Sequence, residues 1–233
     1  MSTHCSTTAA STRRLKDFRV TERFCSVGRV GRARSDIPRS GEAIRRPTGA
    51  DWRAICAADS PGLTGAPFYA TDVGGFYGDR RDPVLYVRWL QAAIFSAHLR
   101  LHGIGPREPW SYGPEAERLA MQALALRERL RPYLQRVVEE SSRSGLPVQR
   151  PMVLACPEDR ASWAFEDQFF FGERLLVAPC LEPSGEVVVY LPAGDWVWLE
   201  TGERIEGGRS HALTLPLDRI AAFTRLGERI PGF

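Results

Sequence analysis

The stretch that decides the fold is Phe68-Tyr69-Ala70-Thr71-Asp72-Val73-Gly74-Gly75-Phe76. Its first residues belong to an apolar run, residues 66–71, which predicts a short buried strand. An aspartate and a pair of glycines follow, and this composition is typical of a loop that ends a strand. We therefore expect the organised part of the chain to begin just upstream, near Leu63.

The loop is followed by a predicted helix. Asp82 followed by Pro83 is a favourable helix start, because aspartate caps free backbone N–H groups and proline is tolerated in the first turn. Apolar residues then recur at helical spacing, which predicts a helix that runs to about Leu99.

A second, longer helix is predicted to begin near Pro114. Its leucine, alanine and valine residues recur every three or four positions to Val137, so that one face is apolar. Pro132 is expected to kink it and Gly145 to end it. Residues 146–154 then predict another strand.

The pattern changes after Trp163 to short β-rich runs separated by glycine, proline and aspartate. Pro192-Ala193-Gly194 predicts a hairpin turn between two of these runs. The sequence thus predicts an α/β part followed by an all-β part, the latter an antiparallel β-sandwich. The predicted strands are 169–171, 175–177, 186–191, 195–199, 212–217 and 221–225.

Charge and composition divide the chain differently. Residues 1–50 carry eleven basic and four acidic side chains, so the rest is mildly acidic. Residues 1–62 show neither helical nor strand periodicity, and we expect them to be disordered or non-native. The overall formal charge of +3 is too small to indicate a nucleic-acid partner. Of the 31 basic residues only Lys16 is a lysine, a bias that we attribute to a GC-rich coding sequence.

The cysteines and the hydropathy pattern indicate a cytoplasmic protein. The five cysteines are odd in number and show no Cys-x-x-Cys spacing, which argues against a disulfide framework or a structural zinc site. The sequence has no apolar run of eighteen residues and no apolar stretch typical of a secretory signal. We therefore expect no membrane partner.

Several motifs in the same order resemble glycoside hydrolase family 31, the α-glucosidases and α-xylosidases. The Asp72-to-Phe76 stretch is followed by RLHG at 100–103 and REPW at 107–110. GLPVQRP at 145–151, LVAP at 176–179 and VYLPAGDW at 189–196 complete the series, which covers about residues 63–231. The Arg-Leu-His-Gly and Arg-Glu-Pro-Trp motifs look most like the α-xylosidase branch.

The resemblance implies the C-terminal part of a (β/α)8 barrel followed by a β-sandwich. We assign residues 63–168 to the partial barrel, with its helix from Pro83 and its strand near Pro147, and residues 169–233 to the β-sandwich. A complete barrel takes about 250 residues, whereas roughly 110 lie between Leu63 and the β-rich tail. About six strands should therefore be missing.

The resemblance also implies an activity. Family members are retaining enzymes, and retention requires two carboxyl groups about 5–5.5 Å apart. The family's nucleophile aspartate lies on an upstream strand that this chain does not contain. The acid should lie about thirty residues before Asp72, where Glu42 is a weak candidate that lacks the usual Trp-x-Gly-Asp setting; a solvated loop charge is the simpler interpretation.

By resemblance, four residues belong to the sugar site. Phe76 walls the sugar, Asp72 supports the site from a strand end, His102 donates to sugar hydroxyls and Arg100 is a supporting residue. Each has a simpler reading, since Asp72 could cap a loop and Phe76 could be core. His98 and His102 also have the i,i+4 spacing of two helix-borne metal ligands, but no third ligand is evident and we expect no metal.

The sequence thus predicts an α-xylosidase or α-glucosidase that hydrolyses O-glycosyl bonds of short oligosaccharides or small glycosides without a cofactor. Two alternatives remain open: an inactive sugar-binding or structural fragment, and the product of a truncated or frameshifted gene. A partial barrel would expose sheet edges, so low solubility, homo-oligomer formation or association with a complementary chain is also expected.

Overall fold

A computed structural model describes residues 67–68, 71–77 and 82–233 of the chain. The predictions made for residues 1–62, including Glu42 as a candidate acid, lie outside the described residues. So does half of the strand predicted over 66–71, for which only residues 67, 68 and 71 are described.

Helix α1, numbered here from the first described helix, spans Pro83–Ala93. It begins as predicted, with the Asp82 side chain accepting a hydrogen bond from the Leu85 amide at 3.1 Å. All of its residues from Tyr86 onward are buried, because the helix packs against both the second helix and the β-rich region.

The prediction that this helix continues to Leu99 is wrong. The carbonyl groups of Ile94, Ser96 and Ala97 accept hydrogen bonds from the guanidinium of Arg127 rather than from the amides of a further turn. A side chain 30 to 33 residues away therefore replaces the helical ladder. The chain leaves the helix at Ile94, turns and bends through residues 94–98, and forms a β-bridge at Arg100.

Helix α2, Pro114–Ser144, confirms the prediction at both ends. It contains Pro132, and Gly145 follows it with a left-handed φ of +75°, the conformation that glycine adopts without strain at a helix C-terminus. A short 3-10 helix, Pro109–Tyr112, immediately precedes it.

The β-rich region contains a six-stranded antiparallel sheet in the order β1-β2-β3-β8-β5-β6. The strand predicted over 146–154 is only three residues long, and helix α3, Met152–Ala155, interrupts it. In this sheet β1 pairs antiparallel with β2. The six strands are β1 Gln149–Pro151, β2 Phe169–Phe171, β3 Leu175–Val177, β5 Asp195–Trp198, β6 Arg204–Glu206 and β8 Ala222–Arg225.

A second sheet consists of β4, Glu186–Leu191, paired antiparallel with β7, Arg209–Thr214. The hairpin predicted at residues 192–194 is therefore wrong. The turn instead carries the chain from one sheet to the other, because β5 pairs with β6 and β8 and not with β4.

The two sheets share one hydrophobic cluster. Val189 and Leu191 of β4 contribute to it from the small sheet, and Leu176, Trp196 and Phe223 contribute from the large one. The chain thus combines helices with antiparallel sheets, in agreement with the mixed α and β class predicted. None of the helices that the structure describes has both the length and the apolar character needed to cross a membrane.

Candidate functional site

Two segments that carry predicted site residues lie side by side. Asp72 and Arg100 form an isolated parallel β-bridge, and the Val73 amide donates to the Arg100 carbonyl at 3.0 Å. Parallel neighbours of this kind are the arrangement expected for consecutive barrel strands. Since both segments run in the same direction, the residues that follow each of them emerge at the same edge.

Asp72 and Arg100 also form an ion pair, with Arg100 Nη2 at 2.6 Å from Asp72 Oδ1. The aspartate side chain is 14% exposed and the arginine side chain 56% exposed. The carboxylate is thus largely covered and engaged, whereas the arginine remains accessible. This geometry suits Asp72 to holding the two segments together and leaves part of the Arg100 guanidinium open to a ligand.

Phe76 and His102 face one another just beyond this bridge. Their ring centroids are 5.4 Å apart at an interplanar angle of 52°, and the Ile104 amide donates to the Phe76 carbonyl at 2.9 Å. Phe76 is half-buried and His102 is exposed. The pair offers an apolar ring face beside an imidazole that can donate or accept a hydrogen bond, a combination suited to a polyhydroxylated ligand.

The metal alternative loses its geometric basis, because neither His98 nor His102 lies in a helix. His98 instead packs edge-on against Phe68, with ring centroids 6.5 Å apart. Its burial, together with the nearby Arg127 and Arg100, lowers the pKa of His98. The described residues contain no group of three or more His, Cys, Asp and Glu side chains placed to hold a metal ion.

Sequence reasoning missed a buried arginine beneath the site. Arg107 is 4% exposed, and its Nε donates to the Gly75 carbonyl at 2.6 Å. Gly75 directly precedes Phe76 in the chain. The REPW motif at 107–110 is part of the family pattern, and nothing in its spacing indicates a contact with residue 75.

An open cleft of about 350 Å³ lies elsewhere, between residues 164–168 and the start of β4. Its buried polar side chain, Gln168, exchanges two hydrogen bonds with the Tyr190 backbone, at 2.8 and 2.9 Å. The Gln168 amide group is therefore already hydrogen-bonded to the backbone of β4. None of the predicted site residues lines this cleft, and we place the candidate site at the Phe76–His102 pair instead.

The Asp72–Arg100 bridge thus brings an aromatic ring, an imidazole and an ion pair close together, and comparison with known proteins gives the family of the chain. The Glycosyl hydrolases family 31 TIM-barrel domain matches residues 53–137. The Glycosyl hydrolase family 31 C-terminal domain matches residues 145–230. The chain belongs to glycosyl hydrolase family 31.

The chain is similar to several α-xylosidases. It is 36% identical over 181 residues to an α-xylosidase of Emericella nidulans, covering 74% of this chain and 23% of that protein. It is 33% identical over 230 residues to an α-xylosidase of Saccharolobus solfataricus, covering 94% and 31%. The structure of a soil-metagenome α-xylosidase complexed with xylose superposes with a TM-score of 0.75 at 33% identity, covering 80% of this chain and 32% of that one.

The chain thus spans less than a third of the length of each of these relatives. The matched residues belong to the TIM-barrel domain and to the C-terminal domain of the family.

Proposed function

We propose that the chain contributes the sugar-contacting edge of an α-glycosidase that hydrolyses α-xylosyl or α-glucosyl O-glycosyl bonds without a cofactor. The observation that carries this proposal is the Phe76–His102 pair, 5.4 Å apart, beside the Asp72–Arg100 ion pair. The similarity to α-xylosidases, and to an α-xylosidase complexed with xylose, supports it.

Each residue has a role that its surroundings permit. The exposed His102 imidazole is free to bond a sugar hydroxyl, and the ring of Phe76 covers the apolar C–H surface of the sugar. Asp72 acts as a support, because its carboxylate is held by Arg100. The exposed face of Arg100 adds donors for a second hydroxyl.

Hydrolysis with retention also needs a nucleophile and an acid, two carboxyl groups about 5–5.5 Å apart. Asp72 is engaged with Arg100, and Glu42 remains a proposal outside the described residues. The engagement of Asp72 by Arg100 favours a second candidate function, sugar binding without hydrolysis.

The same proposal extends to the domains. The shared core of the two sheets supports a small β-sandwich, and we propose that it begins near Gly145 and not at residue 169, since β1 pairs with β2. We further propose a cytoplasmic location, on the cysteine pattern. Association with another chain remains a proposal based on the partial barrel.

The test measures both hydrolysis and binding with the purified chain. Release of p-nitrophenol from the α-xyloside and the α-glucoside reports hydrolysis, and calorimetric titration with xylose and glucose reports binding. The variant is His102→Ala. The matched control is His211→Ala, an accessible histidine of β7 whose Nε2 lies 2.8 Å from the Glu206 carbonyl.

We expect His102→Ala to weaken binding about tenfold, because one hydrogen bond to the ligand is lost, and His211→Ala to leave it unchanged. Release that falls with His102→Ala supports the glycosidase, and binding without release supports the second candidate. If the chain neither binds nor hydrolyses either sugar, both are wrong.

A further inference from the structure

Arg107 lies where the two halves of the candidate site meet. Its Nε donates to the carbonyl of Gly75, which precedes Phe76, and the same Nε lies close to Gly103, which follows His102. A Cβ atom placed on Gly103 would stand 2.9 Å from Arg107 Nε, 2.9 Å from the Gly75 oxygen and 3.0 Å from the Phe76 oxygen. The guanidinium is thus enclosed between the backbone on either side.

Aromatic side chains fix Arg107 from below. Tyr86 donates its hydroxyl hydrogen to the Arg107 carbonyl at 3.0 Å and stacks on Tyr112, with ring centroids 3.9 Å apart. The backbone of Gly74 lies against the same side chains. A Cβ atom at that position would stand 2.9 Å from Arg107 Cδ and 2.6 Å from the Tyr112 oxygen, so no larger residue fits there without a shift. Burial raises the pKa of Tyr86, which therefore remains a hydroxyl donor at neutral pH.

From this enclosure we infer that Arg107 is the positioning residue that sets the separation of Phe76 and His102. Its hydrogen bond to residue 75 reaches across 32 residues and fixes the loop that carries the ring, while its own loop carries the histidine. The inference deepens the proposed function, on which its consequence for sugar binding rests. Arg107 touches no ligand in this role and acts through the backbone.

The experiment compares one substitution at two buried arginines. Arg107→Lys keeps the positive charge but removes the planar fork that reaches the Gly75 carbonyl. Arg88→Lys is the matched control: Arg88 is 5% exposed, and its guanidinium also donates to a backbone carbonyl at 2.6 Å, that of Leu215. The two arginines carry similar bonds in similar burial, but only Arg107 adjoins the site.

A spectroscopic readout separates positioning from stability. The chain has four histidines, so the ring signals of His102 can be assigned in a carbon-correlated NMR spectrum with the help of His102→Ala. We expect Arg107→Lys to shift these signals and to weaken xylose binding about tenfold, through the misplaced imidazole. Arg88→Lys should lower the melting temperature comparably and leave both readouts unchanged.

A second variant covers the case in which Arg107→Lys does not fold. Gly103→Ala pushes against the guanidinium and should move the His102 signals in the same way. In the wild-type chain the Arg107 Nε–H proton should exchange slowly with solvent, since it is buried and hydrogen-bonded. Fast exchange of that proton, unchanged His102 signals in both site variants, or equal shifts in Arg88→Lys would each overturn the inference.

These results also separate the inference from the proposed function. If the wild-type chain binds no sugar, the proposed function fails, while the His102 signals still report whether Arg107 sets their position.

Discussion

The prediction that we develop first concerns Arg127, because this one side chain donates hydrogen bonds to three backbone carbonyls of a connecting segment. Its guanidinium donates to the carbonyls of Ile94, Ser96 and Ala97, the last two at 2.9 and 3.2 Å. This segment joins helix α1 to the residues of the candidate site. Burial lowers the pKa of Arg127 to about 10, so the group remains charged at neutral pH. We consider the substitution Arg127→Met, which keeps the apolar stem.

The magnitude follows from the burial of the acceptors. Ile94 and Ser96 are buried and Ala97 is half-buried. A buried polar group left without a partner costs about 1–3 kcal/mol. Removing the guanidinium also removes its own desolvation penalty, which offsets part of this loss. We expect a net destabilisation of about 2–4 kcal/mol, which lowers the melting temperature by roughly 5–15 °C for a unit of this size.

Urea and thermal denaturation measure this loss directly. The control is Arg131→Met, the same change one turn further along helix α2, where the arginine is exposed and pairs with Glu128 at 3.0 Å. Exposed pairs of this kind contribute at most about 0.5 kcal/mol. Arg127→Met within about 0.5 kcal/mol of wild type, or no more destabilised than Arg131→Met, would refute the argument.

Two further predictions concern pH. Burial raises the pKa of Glu200, whose Oε2 accepts from the Ile220 amide at 2.9 Å, so the wild type loses stability as pH rises through that raised value. Glu200→Gln should therefore be the more stable form at pH 7, with the difference vanishing near about pH 4; denaturation curves showing a pH-independent difference would contradict this. Burial and nearby arginines lower the pKa of His98, so its NMR titration midpoint should lie below 6.5, with stability lost as pH falls through it. Arg100→Gln should raise that midpoint, and an unresponsive midpoint would remove the assigned cause.

Local chemistry made the strands predictable. Strands β2, β3 and β4 lie at the predicted residues, because each is a short apolar or β-branched run bounded by glycine, proline or charged residues. Strand β6, Arg204–Glu206, was missed, because it is three residues long and charged at both ends. It owes its existence to pairing with β5, which local sequence does not specify.

Contacts distant in sequence account for the other errors. Helix α1 ends early because Arg127 binds carbonyls that a longer helix would have used. The turn at residues 192–194 has hairpin chemistry, yet it connects two different sheets. In both cases the local residues allow either structure, and a contact with residues distant in sequence determines which one forms.

The candidate site was predictable only through the family pattern. Without that pattern, His102 would be as readily a core histidine as a sugar ligand, and the simpler reading of Asp72 was a loop cap. The structure brings Asp72 to Arg100 and Phe76 to His102. The role of Arg107 could not be predicted from the sequence, because its contact is with a backbone carbonyl, a group that every residue carries.

Composition and structure explain different properties of the arginines, namely how many there are and where the buried ones lie. We attribute the excess of arginine over lysine in the whole chain to a coding bias, which does not explain where the buried arginines point. Arg88, Arg107, Arg127 and Arg150 are each under 10% exposed, and each donates to at least one backbone carbonyl. A lysine ammonium is a strongly hydrated point charge that lacks the planar fork. At each of these four positions a buried guanidinium donates to a backbone carbonyl that would otherwise lack this donor. Arg107 makes its bond within the candidate site.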